Sequence, residues 1–472
     1  VANHGGVLWG EHGRGFRGDV AESFLRPETI EIMRAVKAAF DPGDLLNPGK
    51  LYRPTGSSTP LIPLDEPGQR GRINRRVPLA VRTEYGDAFA CNGNGLCLHH
   101  DEREVMCPSF KATGDPALSP RGRADLIRAW LARRAAGHDA DDGFDDAIAA
   151  NLDQCLSCSA CAGHCPVSVD IPELKSQFLE QYWAKRRRPP SHRLLSRFEQ
   201  LAAAAALAPG PLARVGGGLA GRAMGLVDLP VPSRRPRPFE ARRFEPGVEA
   251  DVVLLPDVFT MTLEPETMAA TLRVLAAVDH RVAVAHFAPS GKFDHVKGNR
   301  RAFARFARAQ ARVVNDVLDA GAVPVVIEPA ISLLHHHEYP GMVDGYPRDR
   351  VRNLAEVLDE RRHRLPPART PTRVTLLGHG TEQARAPDWA PAWSRILTAV
   401  GHEVTAPRVG CCGMAGIFGH EAGNQHLSRR LYDQTWSAHV DGDERVVATG
   451  YSCRSQVKRL ADTVIDHPVR LL

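Results

Sequence analysis

Residues 155–166 read CLSCSACAGHCP, four cysteines spaced C-x2-C-x2-C-x3-C and followed at once by Pro166. No other feature of the 472 residues constrains the fold as strongly. Two-residue gaps let one short loop present three thiolates to one side of a cubane. The fourth cysteine, ahead of the proline, points away and serves a neighbouring cluster. A zinc site would want two separated pairs rather than a run of four. Seven of the ten cysteines lie between positions 91 and 165. That clustering suits metal or cluster ligation in a reducing, cytoplasmic compartment better than a disulfide framework.

A second run is incomplete. CNGNGLC, residues 91–97, places Cys91 and Cys97 at the first and third positions of the same motif and Asn94 at the second, with Cys107-Pro108 further on. The crossing rule joins Cys107 to Cys155, Cys158 and Cys161, a complete 4Fe-4S site. It joins Cys165 to Cys91 and Cys97, a second site with three thiolates. That site is expected to be a three-iron form, a cubane with an open fourth position, or empty. His99 and His100 stand close enough in sequence to substitute, or simply face solvent. Two clusters in a helical module make an electron relay rather than a catalyst, so the electrons come from elsewhere.

The rest of the chain divides by pattern. LWGEHGRGFRG contains a literal G-x-G-x-x-G at Gly13, Gly15 and Gly18, but no strand of usual length precedes it and no helix follows directly, so it is not read as a dinucleotide site. Adjacent Glu11 and His12 suit metal ligation with proton transfer. Pro27 opens a helix with Ile30, Met33, Val36 and Phe40 at helical spacing, stopped by Asp41-Pro42. Residues 1–54 thus form one segment and 55–85, rich in Pro, Gly, Ser and Arg, a linker. Residues 86–204 are read as a helical cysteine-bearing domain, with Ser119 capping one helix, and Asp170 and Glu173 in a capping-box arrangement on another. Residues 205–248 are a second, low-complexity linker. From 249 to 472, DVVLLP, RVAVAHF, VPVVIE, RVTLLG and RVVATG alternate with helical stretches. That pattern predicts a doubly wound α/β domain with a mainly parallel sheet, and places LLGHG and ATGYSC at strand ends where ligands bind.

Charge and hydropathy exclude two classes. Net charge is +5, and the arginines are interspersed with acids and lack stacking aromatics, which argues against a nucleic-acid partner. No run of about 20 apolar residues is present. The nearest candidate, 201–227, is broken by Pro209, Pro211, Arg214 and Arg222 and reads as a helical linker, with peripheral contact at the inner face of a membrane as the most it allows. The chain starts abruptly at Val1 with no signal peptide, as the C-terminal part of something longer would.

GGVLWGEHGRGFR followed by RAVKAAFDPGDLLNPGKLY resembles the C-terminal end of the FAD-linked oxidase domain of D-2-hydroxyacid dehydrogenases. CNGNGLC, MCPS, SPRGRA and CLSCSACAGHCPVSVDIPELK resemble the iron–sulfur module fused to it in a bacterial subgroup. GCCGMAGIFGHE and ATGYSCRSQVKR resemble the cysteine-rich CCG domain that closes those chains. The subgroup is the D-2-hydroxyglutarate dehydrogenase type, related to the glycolate oxidase iron–sulfur subunit.

The resemblance implies an α+β multidomain chain: a remnant of the oxidase domain, a helical ferredoxin-like domain and an α/β CCG domain. It implies that Glu11 ligates a divalent metal, zinc by expectation, that grips the substrate hydroxyl and carboxylate. His12 would take the hydroxyl proton while hydride goes to the flavin, with Asn47 and Lys50 near that FAD. It implies a D-2-hydroxyacid substrate, a flavin domain upstream or on a separate chain, and a quinone or soluble carrier as acceptor. Cys411, Cys412 and Cys453 would hold a cluster or a metal. Two departures stand out: Gly378-His379-Gly380 where relatives tend to have GHC, and no cysteine near Leu334, where this chain runs LLHHHEYPG. His379 is then a candidate replacement ligand, and His335, His336 and His337 read as a surface loop. The alternative is a stand-alone iron–sulfur subunit of the glycolate oxidase type that docks a separate flavoprotein.

Overall fold

The computed structural model describes residues 1–7, 15–63, 74–138, 143–205, 221–222, 224–228, 242–245, 247–440 and 444–472. Glu11, His12 and most of the 201–227 stretch lie outside the described residues. Among the described residues no helix is long and apolar enough to cross a membrane. The chain forms two compact units, Val1–Val81 with Leu131–His138, and Arg82–Trp130 with Asp139–Leu472.

In the first unit, helix α1 (Pro27–Phe40) starts with Pro27 in its first turn, where the fixed φ of proline is pre-set for a helix. Of its apolar stripe only Ile30 is buried, while Met33, Val36 and Phe40 are exposed, Phe40 at 85%. The loop after α1 winds around one carboxylate. Asp41 accepts hydrogen bonds from the Leu45 and Leu46 amides at 2.9 Å each and pairs with Lys37 Nζ at 2.6 Å. The Lys37 hydrogen bond, with those amides, lowers the Asp41 carboxyl to about 2. Asn47 follows at φ 51°, exposed, with its Oδ1 accepting from Lys50 Nζ at 3.3 Å.

The second unit begins with short helices around the cysteines: α2 (Pro108–Thr113), α3 (Pro120–Ala135), α4 (Phe144–Asp153), α5 (Ala160–His164) and α6 (Ile171–Ala184). Ser119 Oγ accepts from the Gly122 amide at 3.1 Å, the cap its position predicts. Asp170 caps α6 by accepting from the Glu173 amide at 3.0 Å, but the reciprocal arm of the box is not made. Glu173 instead reaches Arg300 Nη1 at 2.5 Å and His295 Nε2 at 3.3 Å. A side chain expected to close its own helix end therefore ties the cysteine-bearing helices to the α/β part, because two partners from distant sequence offer it more than one backbone amide does.

The α/β part holds strands β1 (Val252–Leu254), β2 (Val282–Val284), β3 (Val323–Val326), β4 (Arg352–Asn353), β5 (Arg373–Leu377), β6 (Glu403–Thr405) and β7 (Arg445–Ala448). The five apolar runs are all strands. The single doubly wound sheet expected from them is corrected to two parallel sheets, ordered β2-β1-β3-β4 and β6-β5-β7. The first three strands of each repeat one winding, with the middle strand earliest in sequence. Side chains alternate along these strands. Val252 and Leu254 join one core while Val253 and Leu255 join another, as period-two pleating requires when both faces are covered.

The two sheets share their inner core. Val252, Leu254 and Val325 meet Val374, Leu376 and Val447 in one apolar cluster. Helices α7 (Pro265–Ala277), α10 (Leu354–Glu360) and α12 (Trp389–Ala399) contribute to it, whereas α8 (Arg300–Asp319) and the start of α9 (Pro329–Leu333) cover the outer face of the first sheet. Helices α11 (Gly380–Arg385) and α14 (Tyr451–Ala461) start at the ends of β5 and β7, and α13 (Gln425–Thr435) packs on α2.

Burial pushes the Glu173 carboxyl up, but the His295 hydrogen bond and Arg300 outweigh it and bring the group down to about 2 from 4.5. Its ionised form therefore stabilises the fold fully above pH 4.5, and that contribution is lost as pH falls towards about 2. Glu173→Gln keeps the backbone cap and removes the charge. It is expected to cost about 2–3 kcal/mol at neutral pH. In urea unfolding, the gap to the parent should narrow below pH 4.5.

Candidate metal centre

The loop 155–161 is wound by two left-handed serines, Ser157 at φ 53° and Ser159 at φ 56°, which turn the backbone sharply between successive cysteines. Cys155 and Cys161 are buried, and Cys158 is half-buried. Cys107, delivered by the start of α2, is buried too and lies within electrostatic reach of Cys155 and Cys158. Burial drives Cys158 and Cys161 well above the ordinary thiol range, helped by neighbouring thiols at Cys158 and by Asp170 and then neighbouring thiols at Cys161. Iron is the natural relief for such a set, because it replaces the protons and neutralises thiolates that would otherwise repel one another.

Three further observations fit an anionic cluster held by Cys107, Cys155, Cys158 and Cys161. Arg123 is 1% exposed and places Nη1 3.9 Å from Cys107 Sγ. Lys175 is 1% exposed and donates to the Cys155 carbonyl at 2.9 Å. Neither cation is held by a carboxylate at contact distance among the described residues, and a buried cation without a counter-ion is costly. Ser157 Oγ, buried inside the loop, has no hydrogen-bond partner. Among the described residues no three His, Cys, Asp or Glu side chains close around a single ion. A four-iron cube interposes iron and sulfide between its cysteines and needs no such convergence. The zinc expectation finds no support: Glu11 lies outside the described residues, and among the described residues no ion site takes its place.

Asn94 has a job other than ligation. It is exposed, its Oδ1 accepts from the Leu96 amide at 2.9 Å, and its Nδ2 donates to Asn92 Oδ1 at 2.8 Å. Both ends of the carboxamide are spent on closing an Asx turn, between Gly93 at φ 76° and Gly95 at φ 81°. Cys97 is buried with Cys107 and Cys91 in electrostatic reach, and Cys165 is half-buried at the end of α5. His99 uses Nδ1 to accept from the Asp101 amide at 3.1 Å, and His100 tilts against Phe110 at 5.1 Å. Both histidines are exposed.

The three C-terminal thiols gather in one place. Cys412 is in sulfur contact with both Cys411 and Cys453. Cys411, half-buried, is also the strongest thiol neighbour of Cys158. The sequence treats these as separate motifs about 250 residues apart; no local signal joins them. His379 lies beside this group, buried and lowered to about 4 by burial and by Arg454, so it is neutral at pH 7. Its Nδ1 accepts from the Thr381 amide at 3.3 Å, and a Cβ on Gly450 would come within 2.3 Å of its ring. The histidine run is corrected in part: His335 is interior, and His336 and His337 are half-buried. His335 is fully buried against Tyr346 Oη at 2.5 Å, and His337 meets Arg385 at 2.6 Å.

A cavity of about 180 Å3 opens between these groups. The loops after β1, β2 and β3 form one side of it, those after β5, β6 and β7 the other, and the 155–158 loop a third wall. The sequence pointed only to the ends of β5 and β7.

Residues 1–51 match the family described as FAD linked oxidases, C-terminal domain, and residues 87–169 the 4Fe-4S dicluster domain. The chain is 33% identical to a D-2-hydroxyglutarate dehydrogenase of Pseudomonas putida over 99% of its own length and 51% of that protein's. It is 34% identical to the Escherichia coli protein of the same name over 100% of its length and 52% of the relative's. The chain thus spans about half the length of these curated relatives. It is 25% identical to the Escherichia coli glycolate oxidase iron-sulfur subunit over 80% of this chain and 92% of that one.

The grouping has a direct test. Cys158→Ser is expected to abolish most of the reduced-cubane EPR signal, while Cys91→Ser leaves that signal in place. Iron content unchanged in Cys158→Ser would overturn the grouping of Cys107 with Cys155, Cys158 and Cys161.

Proposed function

We propose that this chain, similar along its whole length to about half of the D-2-hydroxyglutarate dehydrogenases it matches, is the iron–sulfur electron-transfer portion of a flavin-dependent D-2-hydroxyacid dehydrogenase. D-2-hydroxyglutarate is the substrate that the relatives' names favour. The observation that carries the reading is the quartet of buried Cys107, Cys155 and Cys161 and half-buried Cys158, with Arg123 and Lys175 against it, in a chain whose first 51 residues match a FAD-linked oxidase domain.

A cluster bound by the quartet supplies one-electron transfer. The chain's residues set the conditions for it. Cys107, Cys155, Cys158 and Cys161 ligate, Arg123 and Lys175 offset the negative charge, and the apolar packing of Ala112, Leu156 and Phe418 excludes water. Cys91, Cys97 and Cys165 form the second, three-thiolate site. Cys411, Cys412 and Cys453, in the CCG part, receive electrons from the Cys158 side. In the first unit, Glu11 is a metal ligand and His12 the proton acceptor, with Asn47 and Lys50 near the FAD. The flavin itself is held mainly by residues that this chain does not contain. The exposed Met33, Val36 and Phe40 of α1 suit contact with that missing part.

A second reading is a separate iron–sulfur subunit that docks a flavoprotein. The 92% coverage of the glycolate oxidase iron-sulfur subunit favours it. The genomic DNA ahead of Val1 decides between the two, an in-frame FAD domain supporting the first and a stop codon the second.

Purified without oxygen, the chain is expected to carry iron and sulfide, about four of each per cubane, and to show an EPR signal on dithionite reduction. D-2-hydroxyglutarate should not reduce it alone but should do so once the flavin portion is supplied. Protein that contains no iron would overturn the reading.

A further inference from the structure

Cys411, Cys412 and Cys453 form a sulfur group of a different kind from the quartet. Cys412 is 3% exposed and Cys453 is fully buried, and both pack in an apolar cluster with Val409, Met414 and Trp436. Cys412 is in sulfur contact with Cys411 on one side and Cys453 on the other. The quartet has Arg123 and Lys175 to offset its charge. Here the buried cation is Arg454, and Glu264 already holds it at 2.7 Å. Position 380 adjoins the group, a Cβ there standing 3.8 Å from that of Cys411, but the residue is glycine and offers no ligand. Three thiolates on a cluster would put uncompensated negative charge into apolar surroundings, which is costly. Among the described residues no three ligating side chains close around a single ion either. The group therefore does not suit a cluster or a metal. A dithiol and its disulfide are both uncharged, so these surroundings accept either state.

The backbone decides which pair can bond. Cys411 and Cys412 are neighbours in sequence, and a bond between them would close a small ring and twist the peptide that joins them. That peptide is clamped on both sides. A Cβ on Gly410 would come within 2.4 Å of the Glu102 carbonyl oxygen, and one on Gly413, at φ 88°, within 2.2 Å of the Ser428 carbonyl oxygen. The Trp436 indole also donates to the Gly410 carbonyl at 3.0 Å. Cys453 meets Cys412 from another element, the first turn of α14, so that bond asks for side-chain rotation and no twist of the peptide. Cys411 is left as a third thiol, between the pair and Cys158.

We propose that Cys412 and Cys453 are a dithiol–disulfide couple that stores a pair of electrons beside the cubane. The proposal rests on the electron-transfer reading above and adds what the C-terminal thiols do with the electrons they receive. On reduction the Cys412–Cys453 bond breaks. The two sulfurs take two electrons, which arrive one at a time from the reduced cubane past Cys411, and two protons from water. Each sulfur becomes a thiol. Oxidation returns both electrons to the oxidised cubane and both protons to water, and the bond forms again. Dithiol potentials fall within the span of protein-bound iron–sulfur clusters, so the exchange can run either way. Water has a route: Cys411 and Cys412 line the chamber of about 180 Å3, and Asp153, Lys175, Lys297, His420 and Glu421 share its wall. A space of that size with such polar groups holds water.

The test uses the whole chain, iron-loaded and kept without oxygen, treated with the thiol oxidant diamide and then with dithionite. Free thiols are blocked with N-ethylmaleimide in denaturant at each stage, and the chain is cut with trypsin for mass spectrometry. Peptides 409–429 and 446–454, which carry Cys412 and Cys453, are expected to be joined after diamide and separate after dithionite. Cys411→Ser should keep the joined pair and Cys412→Ser should lose it. Cys453→Ser should lose it too, and should take up about two fewer electrons per chain in a dithionite titration, with iron content and the cubane EPR signal retained. If a variant loses that signal, the peptide map of the parent carries the test. No joined peptides in the diamide-treated parent would overturn the proposal, as would a joined pair that dithionite leaves closed or that survives in Cys412→Ser. Lower iron in Cys412→Ser and Cys453→Ser with the cubane signal intact would also overturn it, because the thiols would then be ligands. Parent protein without iron fails the electron-transfer reading instead, so the two failures are distinct.

Discussion

Arg454 holds a full positive charge at 3% exposure, and the arrangement of the α/β part depends on it. Its guanidinium pairs with Glu264 at 2.7 Å and donates to the Ala448 and Thr449 carbonyls at 2.8 and 3.0 Å. Glu264 belongs to the first winding and Arg454 to the second. Glu328, at the end of β3, accepts from the Tyr451 amide at 2.9 Å and sits 4.0 Å from the same guanidinium. Burial drives the Glu328 carboxyl up to about 8 against the pull of Arg454, so it is mostly neutral at pH 7. A buried ion pair of this kind is weak as a source of net stability and strong as a specifier of geometry, because breaking it leaves an uncompensated charge. Here it fixes the strand ends of both sheets towards each other, and the chamber exists because they face.

The cysteine loop meets the same low-dielectric surroundings with the opposite sign. Burial disfavours ionisation of the thiols at 107, 158 and 161, yet Arg123 and Lys175 are buried with them. Positive charge withdrawn from water beside protonated thiols has little reason to stay there. Beside thiolates on iron it has one. The buried cations fit a loaded site, where thiolates on iron would give them a counter-charge.

Much of this was legible in the sequence and some was not, for identifiable reasons. The five apolar runs became strands because alternate burial on two covered faces leaves a strong local pattern. The short β6 and the two-residue β4 lack it. Ser119 acted as a cap because its partner is three residues away. Glu173 did not close its box because Arg300 and His295, over a hundred residues on, compete successfully for the same carboxylate. Asn94 looked like a lost ligand, and its structural role emerged only from the turn it closes with Asn92 and Leu96. The histidine run looked polar and therefore superficial, but Tyr346 gives His335 an interior partner, and Arg385 meets the half-buried His337. The neighbourhood of Cys158 and Cys411 is a product of tertiary folding alone.

The repeated winding gives the last step. Each half of the α/β part presents loops at the ends of three parallel strands, in the same order, to the same space. Equivalent loops carry different chemistry. After β6 comes the Cys411-Cys412 pair; after β2 comes Ser290-Gly291-Lys292, with no cysteine. After β7 comes Cys453 at the head of α14; after β3 comes Glu328 at the head of α9. Into the chamber itself the second half brings Cys411 and Cys412 with His379, and the first brings Ser290 and Lys292, so one winding carries two different sets of side chains.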